Sequence, residues 1–165
     1  MTKLLVPILL LFSLNCSIAQ SQLDSHNFQF KGYSLSINDE ITDETGNHIL
    51  VGSAKITANY SKDRDARLDA IYKLSDYTID SDSKGLIIIT DPDYKILKLA
   101  GLHSSFHKIL WDKTNNCYWI GGNSAHHHNQ FHYQVSLTKL NPKKEIIGTT
   151  AIENRRQYLY PRYDL

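Results

Sequence analysis

Most of the chain is divided into short apolar runs separated by polar turns. Alternating or continuous runs of β-branched and aromatic residues predict strands at 33–37, 49–54, 86–90, 94–100, 106–111, 117–121, 133–140 and 145–150. Polar clusters such as Asp91-Pro92-Asp93 lie between these runs and predict tight turns. Segment 63–74 has the length of a short helix, but its apolar residues alternate, which favours an extended segment. The pattern therefore predicts an all-β fold, an antiparallel meander of hairpins.

Residues 1–19 have the pattern of a secretory signal. A lysine precedes an apolar run over 4–14, and Ser17-Ile18-Ala19 places small residues before Gln20. The apolar run is shorter than the roughly 20 residues that a helix needs to cross a bilayer. We therefore predict a cleaved signal peptide, no transmembrane span, and a secreted or periplasmic protein. The alternative is a lipoprotein that is anchored through Cys16.

The rest of the chain has the size and composition of one soluble domain. The chain has 165 residues, of which 41% are hydrophobic and 21% charged. We place the signal at 1–19, a single β domain at 20–152, and a basic, aromatic tail at 153–165. After cleavage of the signal Cys117 would be the one cysteine left, and one thiol cannot form an internal disulfide. Because Cys117 lies in an apolar run, it is predicted to be a buried core residue. Trp111 and Trp119, in adjacent predicted strands, are also expected in the core.

Charge and motifs favour a function without catalysis. The formal net charge is +1 and no basic cluster is dense, which argues against nucleic acid as a partner. Carboxylates in polar stretches, among them Asp39, Glu40 and Asp43, predict solvated turns. The sequence has no phosphate-binding glycine loop and no dinucleotide-binding motif, and it predicts no catalytic residues and no cofactor.

The densest set of chemically active side chains is a histidine cluster at 126–132. In an extended segment His126, His128 and His132 point to one face, and imidazoles are good ligands for Zn or Cu. A solvated polar loop between two strands explains the same residues without a metal. A small metal-binding protein or metal-dependent enzyme that uses these three histidines is therefore the alternative function.

The C-terminal tail is rich in tyrosine and arginine. Both residue types are enriched at interaction hot spots, so Tyr158, Tyr160 and Arg162 are predicted to bind a protein or carbohydrate partner. The alternative is a tail that packs as a strap on its own domain.

An internal repetition runs through the predicted strands. Similar orders of apolar residues and lysine occur at 71–74, 96–99 and 137–140, and Gly52 and Gly121 occupy matching places in earlier strands. Such repetition is typical of β-units that each bury an apolar face by stacking on a neighbour.

One segment carries a family resemblance. Residues 89–99 contain an apolar strand that ends in Asp91, a tight turn, and a second strand with Lys95, Ile96 and Leu99. This segment resembles the blade hairpin of secreted β-propellers of the NHL type. Residues 106–122 and 133–150 together are similar to the four strands of one blade. The resemblance implies propeller-blade character and a binding surface; a small β-barrel or sandwich is the alternative fold.

Propellers have typically four or more blades, which is more than this chain holds. The resemblance therefore also leaves open assembly into a homo-oligomer. Taken together, the sequence predicts a secreted or periplasmic binding or interaction protein of unknown ligand.

Overall fold

The computed structural model describes residues 28–74, 83–125 and 133–153. The predicted signal, Cys16 and the tail after residue 153 lie outside the described residues. The described residues form eight strands and one α-helix, which confirms the all-β fold class. The elements are β1 (Tyr33–Thr42), β2 (His48–Ile56), α1 (Ala66–Tyr72), β3 (Lys84–Thr90), β4 (Ile96–Leu102), β5 (Ser104–Asp112), β6 (Cys117–Ala125), β7 (Tyr133–Leu140) and β8 (Ile146–Glu153), with a 3-10 turn at Ser61–Asp63.

The strands form two antiparallel sheets in which neighbours in sequence are neighbours in space. Sheet A has the order β1-β2-β3-β4 and sheet B the order β5-β6-β7-β8. Over the described residues neither sheet closes on itself. His103 alone separates β4 from β5, so the chain passes from one sheet to the other at a sharp corner.

The two sheets pack against each other through their inner faces. Ile49 and Ile87 of sheet A lie in a buried cluster with residues of β5, β6 and β7. The alternate residues of the same strands, such as Leu50 and Ile88, pack on the other side against α1 and residues 28–33. Because β3 is buried on both faces, residues 86–89 at its centre are apolar without alternation. Burial of each such aliphatic side chain contributes roughly 1.5–3 kcal/mol.

Helix α1 corrects the prediction of an extended segment at 63–74. Leu68 and Tyr72 are both buried, and their spacing of four residues puts them on one face of a helix. Asp65 caps the helix, because its side chain accepts a hydrogen bond from the backbone N–H of Arg67. The prediction was wrong because residues four apart fit an alternating pattern and a helical one equally well.

The first hairpins of the two sheets repeat one another. The pairing of β1 with β2 shifts by one residue after Ile37, which lies opposite Gly52, and that of β5 with β6 shifts after Phe106, opposite Gly122. A Cβ on either glycine would lie 1.9 Å from a carbonyl oxygen of the facing strand. Both bulges therefore require glycine at the facing position.

The second hairpins repeat one another as well. The β3–β4 turn begins at Asp91 and the β7–β8 turn at Asn141, and each of these side chains accepts the backbone N–H four residues later, at 2.8 and 2.9 Å. Tyr94 and Lys144 occupy the same left-handed position in these turns, with φ of 61° and 59°. A one-residue shift of register follows in both hairpins. Sheets A and B therefore correspond strand by strand.

The observed repeat differs from the predicted one. Segment 71–74 closes α1, whereas 96–99 lies in β4 and 137–140 in β7, so the three lysine-containing segments are not equivalent. The counterpart of Gly52 is Gly122, because both face a bulge, and not Gly121.

Candidate functional site

The predicted site residues lie outside the described residues. They are His126, His128, His132, Tyr158, Tyr160 and Arg162. On either side of the histidine segment, Ala125 of β6 pairs with Tyr133 of β7. Across the described ranges, no three or more His, Cys, Asp or Glu side chains are grouped to hold a metal ion.

Within the described residues, the most distinctive surface is the outer face of sheet B. Tyr118 and Ile120 are buried between the sheets, so the alternating residues of β6, Trp119 and Gly121, point outward. This finding corrects the expectation that both tryptophans pack in the core: Trp111 packs against the inter-sheet cluster, and Trp119 does not. The burial of Cys117 is confirmed.

The register of the strands arranges the outward residues in rows. The first row crosses the sheet as Leu110, Trp119, Lys139 and Gly148, and the second as Lys108, Gly121, Leu137 and Thr150. A third row contains Ser105, Asn123 and Val135. Rows are two residues apart along each strand, or about 6.6 Å.

Apolar side chains are unusually exposed on this face. Leu110 is 59% exposed, Val135 47% and Leu137 37%. The Lys139 ammonium lies 5.3 Å from the centre of the Trp119 ring, a cation–π arrangement. A Cβ at Gly121 would meet nothing within 4 Å, so the face is open at this glycine, and this open space is called the gap below. Contiguous exposed apolar surface of this kind marks interaction sites in soluble proteins.

Polar groups lie at one end of the face. His107, the bulged residue of β5, has its Nε2 atom 3.2 Å from the Ser105 hydroxyl and 3.1 Å from the Asn123 side-chain amide. All three residues offer hydrogen-bonding groups near exposed Val135. An apolar centre with a polar margin is the usual composition of a protein interface.

The outer face of sheet B has a counterpart inside the molecule. The correspondence of the sheets pairs Leu110 with Ile41, Trp119 with Ile49, Gly121 with Val51, and Leu137 with Ile87. All four of these residues of sheet A belong to the cluster that packs against sheet B. The outer face of sheet B is thus equivalent to the surface on which sheet A already binds a β-sheet.

A polar cluster lies at the turn end of the outer face of sheet A. The Glu40 carboxylate lies 2.5 Å from His48 Nδ1 and accepts a hydrogen bond from the Tyr94 hydroxyl at 3.1 Å. The rings of His48 and Tyr94 stack at 4.1 Å. Burial and the hydrogen bond to Glu40 raise the pKa of Tyr94, so its hydroxyl remains a donor. Because these contacts join β1, β2 and the β3–β4 turn, the cluster fastens the turn end of the sheet.

Two carboxylates that were predicted to be solvated instead connect the sheets. Asp39 accepts hydrogen bonds from the backbone N–H of Ile109 at 2.8 Å and from the Lys108 ammonium at 3.0 Å. Asp43 of sheet A forms an ion pair with Lys144 of sheet B, and both side chains are largely buried. The prediction of solvated turns was wrong here because contacts between the sheets are invisible in a sequence.

Comparisons with protein-family models, curated proteins and solved structures found no match to this chain. Over the described ranges, no helix has the length and hydropathy needed to cross a membrane.

Proposed function

We propose that this chain is a secreted or periplasmic binding protein and that the outer face of sheet B is its binding surface. The observation that carries the proposal is the exposure of Leu110, Val135 and Leu137 beside Trp119 on one sheet face. The signal-like pattern of residues 1–19 supports export.

We also propose that the sheets have propeller-blade character. Each sheet is a four-stranded antiparallel meander, and the face that sheet A uses for stacking corresponds to the open face of sheet B. Stacking of successive units in one direction is typical of repeat architectures, in which each unit buries an apolar face against the next. The open face is then the position where a further unit stacks.

A partner-capture experiment tests the binding surface. Replacing Trp119 and Leu137 by serine together removes the apolar centre and leaves the inter-sheet cluster intact. Leu97→Ser is the matched control, because Leu97 is 57% exposed on sheet A. We expect the unsubstituted protein and the control to retain the same partner from the secreted and envelope fractions, and the double variant to lose it. Equal retention by all three proteins would contradict the proposal.

The alternative proposal is a metal-binding protein that uses His126, His128 and His132. The pairing of Ala125 with Tyr133 supports it, because it brings the two ends of the segment onto neighbouring strands. Metal analysis of untagged protein tests it. Near-stoichiometric Zn or Cu that disappears when the three histidines are replaced by alanine would support it, and metal-free protein would contradict it.

A further inference from the structure

We propose that the outer face of sheet B binds the same face of a second copy of this chain, so that the two copies are related by a two-fold axis. This inference rests on the proposed function, since both assign binding to the same face. It adds the identity of the partner and the alignment of the contact.

The first argument concerns the sheet faces of a second copy that are open for contact. Its inner faces are buried between the sheets, and the outer face of its sheet A is covered by α1 and residues 28–33. Among the described elements the outer face of sheet B is the most open sheet face. Contact between identical faces gives a closed dimer, whereas contact between different faces would extend into a ring or a filament.

The second argument is that the face is complementary to itself. The large side chain of Trp119 occupies the position that Ile49 has in sheet A, and Gly121 leaves the gap at the position of Val51. An axis that lies between the copies, perpendicular to the strands and level with Ile120, exchanges the first and second rows. Each Trp119 then faces the gap at the partner's Gly121.

The same axis also separates like charges. It places Lys139 over the partner's Leu137 and Leu110 over the partner's Lys108, so that no two lysines face each other. An axis level with Trp119 would instead oppose the two Lys139 ammonium groups, which is unfavourable. The charges therefore favour the alignment that places Trp119 opposite the gap at the partner's Gly121.

The area of the face places the contact among weak, reversible interfaces. Four strands spaced about 4.8 Å apart, with about eight residues each, present roughly 500 Å² per copy. A total near 1,000 Å² is at the lower end for specific interfaces. We therefore expect a reversible dimer with a dissociation constant on the order of tens of micromolar.

Sedimentation equilibrium on residues 20–165 over a range of concentrations tests the inference. Trp119→Gly removes the knob and Gly121→Trp fills the gap, and each is expected to weaken dimerisation about tenfold or more. The double variant Trp119→Gly/Gly121→Trp exchanges knob and gap, and since the axis exchanges the two rows, it is expected to recover the dimer. Leu97→Ser is the matched control and retains it. Thermal unfolding of each variant verifies its fold.

Recovery of the dimer in the double variant supports the inference, because neither a loss of folding nor nonspecific association predicts such a recovery. A dimer that persists in both single variants overturns it. A chain that dimerises only after residues 154–165 are removed also overturns it, because the tail then occupies the face. Strictly monomeric protein whose captured partner is lost in the Trp119→Ser/Leu137→Ser variant overturns the inference while the proposed function stands.

Discussion

At the scale of single residues, Asp43 makes the fold sensitive to acid. Burial alone would raise the pKa of Asp43, but hydrogen bonds from Lys144, Thr45 and Asn47 outweigh it and lower the pKa to about 2. A carboxyl whose pKa is lower in the folded protein stabilises the fold above its unfolded pKa, and this contribution is lost as the pH falls toward 2. The difference from 3.8 corresponds to about 2 kcal/mol at neutral pH.

Asp43→Asn is therefore expected to lower the free energy of unfolding by about 1–2 kcal/mol at pH 7 and by almost nothing near pH 2. Urea unfolding at several pH values measures this difference. Asp91→Asn is the matched control, because Asn141 already holds the equivalent turn in sheet B, and it should change stability by less than about 0.5 kcal/mol. A difference for Asp43→Asn that does not shrink in acid would refute the ion-pair account.

A second prediction concerns a buried hydroxyl. Within the described residues the Ser136 hydroxyl is buried without a hydrogen-bond partner, whereas Thr138 on the same face of β7 lies 3.2 Å from the Thr149 hydroxyl. Ser136→Ala is expected to raise the free energy of unfolding by about 1 kcal/mol, since it removes an unsatisfied polar group. Thr138→Val breaks a hydrogen bond and should give no such gain. Chemical denaturation compares the two, and destabilisation by Ser136→Ala would show that the hydroxyl is satisfied in solution.

At the scale of elements, the two adjacent glycines of β6 have different roles. Gly122 faces the bulge of β5, and Gly121 lies on the open face of sheet B. A Cβ at Gly122 would overlap the backbone oxygen of Ser105, whereas a Cβ at Gly121 points into open space. Gly122→Ala should lower the free energy of unfolding by about 3 kcal/mol, and Gly121→Ala should leave it unchanged or slightly higher. Thermal unfolding of these neighbouring substitutions checks the register directly. Equal effects would mean that β5 and β6 pair differently.

The hairpins are the elements that a sequence predicts best. Each predicted strand falls on an observed one, because alternation and turns such as Asp91-Pro92 are local signals. Helix α1 was missed, although the capping Asp65 and the spacing of Leu68 and Tyr72 were available as signals. The repeat was misaligned, and its better signal was an Asp or Asn before proline, followed by isoleucine four residues after the proline, at Asp91 and Asn141.

Local sequence signals do not predict the candidate site on the outer face of sheet B. Cys117 to Gly121 is apolar throughout, so nothing in that run says that Tyr118 is buried between the sheets and that Trp119 lies on the outer face. Only the packing of sheet A on one face decides which residues remain outside. The same holds for Asp39, whose partners in β5 are distant in sequence.

At the scale of the whole molecule, the shared inner core should make both sheets unfold together. Phe106 is fully buried in the cluster between the sheets, and its ring lies against Gly85 of sheet A. Phe106→Ala is expected to cost about 3–5 kcal/mol, because it leaves a cavity that neither sheet can fill alone. Sheets that stabilise each other through one core unfold in a single transition.

This cooperativity can be measured with an internal reporter. The chain has 2 tryptophans, so Trp119→Phe leaves Trp111 as the sole tryptophan, and Trp111 packs against the inter-sheet cluster. Excitation selective for tryptophan then reports on Trp111 alone. The midpoint from Trp111 fluorescence should match the midpoint from circular dichroism of the strands, and Phe106→Ala should lower both equally. Separate midpoints would mean that sheet B folds without sheet A. A single midpoint would mean that packing against another sheet keeps each sheet folded. Packing against a further sheet is also what the open face of sheet B is proposed to do with a partner.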